Sequence, residues 1–156
     1  MSIRQALDNA LNAGEGILHM FPCWVPRSFA VPGRRLRLAE EDLYAYGTHR
    51  GGIDERWICS TTQPANGPDM VPNEGLSEFI APDGTRYTLK DAVDENAAAV
   101  IGAELYEKHG RWPTLGKLFD NKGPLPFHLH PDAEHAKLVG EVQKPEAYYF
   151  PPQYNP

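Results

Sequence analysis

Cysteine is nearly absent: Cys23 and Cys59 are the only two in 156 residues, far apart and with no Cys-x-x-Cys. That excludes a disulfide framework and a cysteine-based metal knuckle, and leaves two small hydrophobes of a reducing compartment. Long apolar runs are missing too. No stretch approaches the roughly 18 apolar residues of a membrane span, and Met1 to Asp8 carries Arg4 and Asp8 with no apolar run behind them. No signal peptide is read, and a cytoplasmic location is expected. Positive charge is also short, with 15 Lys and Arg against 21 Asp and Glu and a net charge of −6. This argues against a general nucleic-acid or anionic-membrane partner. A small phosphorylated ligand remains compatible, because it needs only a local basic patch. What the chain does have is 15 prolines and 14 glycines. Such turn-rich composition points to a mostly β fold with loops, in one domain spanning residues 1–156.

The pattern along the chain divides into short elements. Ser2 as cap and Gly14 as stop frame a helix over 2–13. Phe29 to Val31 and the alternating Arg34 to Leu38 read as strands about the turn Pro32-Gly33. The Arg34, Arg35 and Arg37 cluster reads as a solvated strand face rather than a phosphate site. Glu55 to Ser60 reads as a strand, and Glu78 to Ala81 with Thr85 to Leu89 as a hairpin around Pro82-Asp83-Gly84. Residues 90–109 carry a helical period closed by Gly110. Phe127 to His130 and Glu146 to Phe150 read as strands, with one or two helical turns between Ala133 and Val139.

Chemistry concentrates in Pro126-Phe127-His128-Leu129-His130-Pro131-Asp132 and Lys144-Pro145-Glu146. Residues i and i+2 of a strand share a face, so His128 and His130 aim two imidazoles at one point. A carboxylate would complete a nitrogen/oxygen site for a divalent transition metal. Glu134 and Glu146 compete for that place. Pro131-Asp132 launches a helix that would carry Glu134 away, so a strand-borne Glu146 fits better. His19, His49, His109 and His135 lack partners at ligand spacing.

These segments resemble, in order, the N-terminal half of the type I mannose-6-phosphate isomerases, zinc-dependent cupins. Glu55-Arg56-Trp57-Ile58-Cys59-Ser60 with Asn66-Gly67-Pro68 resembles the family's Glu-x-Trp-x-x-Ser strand and its Asn-Gly turn. Leu89 to Gly102 resembles its following helix, and Pro113 to Asp120 its Pro-x-Leu-x-Lys-x-x-Asp strand. His128 to Glu134 resembles Gln-x-His-Pro-Asp-Asp-Glu, and Lys144 to Tyr149 resembles Lys-x-Glu-x-Trp-Tyr. The resemblance covers roughly residues 50–150. It implies a cupin jelly-roll barrel with peripheral helices, built only in part by this chain. It also implies His128 (where the family has Gln), His130 and Glu146 as ligands of Zn²⁺ or another divalent metal. Lys144 falls on a lysine beside metal and substrate, with a catalytic role, and Lys117 on a substrate-binding lysine. The family's fourth ligand, a His, and its phosphate-contacting Arg belong to the other half of the barrel.

The activity implied is mannose-6-phosphate to fructose-6-phosphate interconversion, a proton moved between C1 and C2. Two rivals stand beside it: a non-catalytic sugar-binding or regulatory cupin, and another cupin metalloenzyme such as an Fe(II) oxygenase. Half a barrel would leave a sheet edge bare, so the chain is expected to form a homodimer or to pair with another chain that covers the edge.

Overall fold

The computed structural model describes residues 1–154. The chain divides into two compact units, Met1–Leu125 and Pro126–Pro156.

The first unit begins with helix α1, Ile3–Ala13, capped by the Ser2 side chain and ended at Gly14. Its apolar positions recur at helical spacing, so Ala6 and Leu7 are fully buried. Leu7 meets the hairpin of β3 (Glu78–Ile80) and β4 (Arg86–Thr88). Leu7, Phe79 and Ala92 form the shared core. Phe79 and Tyr87 are directly opposite across the hairpin, with ring centroids 5.9 Å apart. Thr88 then caps helix α2, Leu89–Ile101, in a capping box with Asp91. The single helix expected over 90–109 is two. Gly102, at φ 85°, separates α2 from α3 (Ala103–His109), and Gly110 closes α3 in the left-handed region.

A three-stranded antiparallel sheet in the order β1-β2-β5 carries the rest of this unit. Its centre is β2, Gly52–Ile58, with β1 (Cys23–Arg27) and β5 (Gly116–Phe119) on either side. Strand β1 escaped the sequence reading because Pro26 interrupts it. The proline is accommodated at a bulge between Val25 and Pro26. Arg34 to Leu38, expected as a strand, is a turn instead. Arg35 Nε (3.0 Å) and the Leu36 amide (2.7 Å) donate to the two oxygens of the buried Asp120 carboxylate, and the Gly33 amide donates to the Asp120 carbonyl. A Cβ on Gly33 would fall 2.0 Å from Asp120 Oδ1, so only glycine allows this approach.

The second unit has one short helix, α4 (Ala133–Lys137), whose cap Asp132 accepts from the Glu134 and His135 amides. The strands expected at 127–130 and 146–150 do not form. Pro126 and Pro131 bound the first segment and Pro145 and Pro151 the second, so neither can extend its pairing past its ends. Among the described residues, helix exceeds strand and no barrel closes. The mostly-β jelly-roll expectation is corrected on that point: the strands are three to seven residues long, while α1 and α2 span eleven and thirteen.

Candidate metal centre

His128, His130 and Glu146 come together in the second unit, each offering a donor atom within 4.8 Å of the others. The two rings meet edge-on, with centroids 5.1 Å apart, so side chains two apart do share a side here without a ladder. His128 Nδ1 lies 2.7 Å from the Pro126 carbonyl oxygen. A carbonyl only accepts, so Nδ1 is the donor, and in the neutral ring Nε2 presents its lone pair. Metal-binding imidazoles are commonly oriented by such a backbone carbonyl. His130 Nε2 lies 3.0 Å from Glu146 Oε2. Two ligands at about 2.1 Å from one ion stand about 3.0–3.4 Å apart at octahedral to tetrahedral angles. The donor set suits a divalent ion, and the His130–Glu146 pair already has the spacing of two ligands of one.

Lys144 completes the group. Its Nζ is 3.2 Å from His130 Nε2 and 3.4 Å from Glu146 Oε1, so a cation already faces the donors a metal would use. Burial alone would raise the Glu146 pKa. The charge and hydrogen bond of Lys144, with the hydrogen bond and charge of His130, outweigh it and hold the carboxyl below its ordinary value. Glu146 is thus kept ionised, as a ligand must be. Glu134 lies on α4, outside this group of three. His135 faces its own helix cap, with Nδ1 2.8 Å from Asp132 Oδ1.

Lys117 belongs to the first unit, on β5. Its ammonium lies 3.5 Å from Glu55 Oε2 and packs over the Trp57 ring, 4.7 Å from the centroid. Arg27 Nε donates to the other Glu55 oxygen at 2.8 Å, and the Trp57 indole also donates to Glu55. Two cations thus share one shielded carboxylate beside an aromatic ring. Arg27 went unnoticed in the sequence because it follows Pro26 in a segment without strand patterning. Neighbouring Asp54 was missed as well. It is fully buried, and neither carboxylate oxygen has a hydrogen-bond partner among the described residues. Nothing in a lone Asp-Glu pair reveals that burial.

No helix of the described residues is long and apolar enough to cross a membrane. No family model matches the sequence, and no curated protein does. Two solved structures resemble the fold. One is a point mutant of phosphomannose isomerase from Salmonella typhimurium, with TM-score 0.50 and 18% identity over 76% of this chain. The other is a candidate mannosephosphate isomerase from Archaeoglobus fulgidus, with TM-score 0.48 and 19% identity over 81% of this chain. The fold is similar to part of the Salmonella phosphomannose isomerase. The chain spans 27% of the length of the Salmonella protein and 36% of the Archaeoglobus one, and the likeness is one of fold.

Proposed function

We propose that this chain carries part of a metal-dependent sugar-phosphate isomerase of the cupin class, interconverting mannose 6-phosphate and fructose 6-phosphate. The observation that carries the reading is the convergence of His128, His130 and Glu146 beside Lys144. His128, His130 and Glu146 would hold the ion, with Zn²⁺ the first candidate for this nitrogen/oxygen set. When bound, the ion supplies Lewis-acid polarisation of a substrate oxygen. Lys144 offers an ammonium at the edge of the same donors, where it would hold a substrate hydroxyl or carbonyl oxygen and balance charge developing there. Lys117, on β5 of the first unit, is kept as a proposed substrate contact on the resemblance alone; its ammonium faces Glu55. Likeness of fold to a phosphomannose isomerase supports the substrate class.

The test is turnover of mannose 6-phosphate by the zinc-loaded full-length protein, followed as fructose 6-phosphate formed. Zinc-dependent conversion that chelation removes and zinc restores is the expected result. Sugar binding without conversion would replace the reading by a sugar-binding cupin. Oxygen uptake that requires Fe(II) would replace it by an oxygenase.

A further inference from the structure

Asp54 is a buried titratable group in the first unit that the metal site does not use. Val25 of β1 pairs with Glu55 and Pro26 pairs with Ile53, so Asp54 has no partner on β1. It is the extra residue of the bulge that admits Pro26. On the other side of β2, the Asp120 amide donates to the Asp54 carbonyl oxygen at 2.7 Å. The backbone is thus held, while the fully buried side chain has no hydrogen-bond partner for either oxygen among the described residues. A bare carboxylate is unfavourable in such a place, and the neutral acid is favoured.

Charged groups gather around it. Its chain neighbour Glu55 accepts from Arg27 Nε at 2.8 Å and from the Trp57 indole, and lies 3.5 Å from Lys117 Nζ. Two flanking ion pairs are each balanced. Asp120, just past β5, pairs with Arg35, and Glu74 pairs with Arg50 and is linked to Arg27 through Asn66. Arg27, Lys117 and Glu55 are left with two positive charges against one negative. An ionised Asp54 would make that count even. Burial first, then the Glu55 charge, push the Asp54 carboxyl up to about 7, against its own backbone amide and the Arg27 charge; the Asp120 charge adds to the rise. Such coupling is reciprocal, so the Asp54 proton acts in turn on Glu55 and Arg27.

We infer that Asp54 is a proton switch on the cluster of Glu55, Arg27, Lys117 and Trp57. With the proton on, Glu55 is the one anion these groups share. With the proton off, a second anion draws on the Arg27 charge, repels Glu55 and offsets the excess positive charge. The hydrogen bond from the Trp57 indole to Glu55 therefore responds to Asp54. The pull of Lys117 on an anion is strongest on the acid side. The switch goes beyond the isomerase reading and does not depend on it.

The experiment is an NMR titration of the full-length protein from about pH 5 to about pH 8.5, read on the indole N–H signals. Trp57 is the probe because its indole donates to Glu55; Trp24 and Trp112 are internal controls. The Trp57 signal is expected to move in one step centred at about pH 7, and to lose that step in Asp54→Asn. The Asp54 carboxyl carbon signal should titrate with the same midpoint in the unaltered chain, a measurement that needs no variant to fold. Titration of a histidine in the same window would survive in Asp54→Asn, so a step retained in that variant overturns the switch. A flat Trp57 signal in the unaltered protein, or an Asp54 midpoint in the ordinary carboxylate range, overturns it as well.

Discussion

At the scale of single residues, Asp54 gives the protein a stability that depends on pH. Burial pushes its carboxyl up to about 7 from 3.8. The Glu55 charge adds to this, its own backbone amide and the Arg27 charge oppose it, and the Asp120 charge adds to it. A folded-state pKa above the unfolded one means the native state holds the proton more tightly. The corresponding stability is complete below about pH 4 and is lost as pH rises to about 7. Unfolding free energy should fall across that window by an amount on the order of a few kcal/mol. Asp54→Asn should flatten the fall, which urea unfolding at about pH 5 and pH 8 will read; an unchanged slope in the variant contradicts the assignment. Lys144 behaves differently. Its ammonium faces the donor atoms that a metal needs, so Lys144→Met should bind zinc several-fold more tightly, through loss of like-charge repulsion, while isomerase turnover drops. A chelator competition and a rate assay on the same variant check both halves.

At the scale of elements, legibility followed local chemistry. Ser2 and Gly14 delimit α1, and Pro82-Asp83-Gly84 turns the β3–β4 hairpin, because caps and turns are set by the residues that make them. Strand β1 was hidden, because Pro26 is tolerated only through a bulge that its partner β2 accepts. The histidine strand failed for the opposite reason: period two was correct for the side chains, but prolines deny the segment a ladder. Thr88 tests the local account. Thr88→Ala removes the capping box of α2 and should cost about 1 kcal/mol, or roughly 2–4 °C in Tm. The Arg50–Glu74 pair tests the non-local one. The two side chains are buried and 2.6 Å apart, and Glu74 also accepts from Asn66 and the Val71 amide. Glu74→Ala should strand a buried guanidinium and cost about 3–5 kcal/mol, read as a lower urea midpoint.

At the scale of the whole molecule, the second unit exposes Phe127, Leu129, Leu138, Val139, Tyr149 and Phe150. In the first unit β1 and β5 are paired on one side only among the described strands. Exposed apolar area and bare strand edges favour association. We expect a homodimer, and sedimentation that finds only a 17.4 kDa species at micromolar concentration would contradict it. The candidate donor group was legible in the sequence because it is local, confined to the stretch from His128 to Glu146. The Glu55, Arg27 and Lys117 cluster was not, because three strands assemble it. His128, His130 and Glu146 are expected to bind one divalent metal ion. Equilibrium dialysis of zinc against the full-length protein tests it most directly. One zinc per chain is expected, lost in His130→Ala and Glu146→Gln and kept in Glu134→Gln; no bound zinc, or loss in Glu134→Gln with retention in Glu146→Gln, would contradict it.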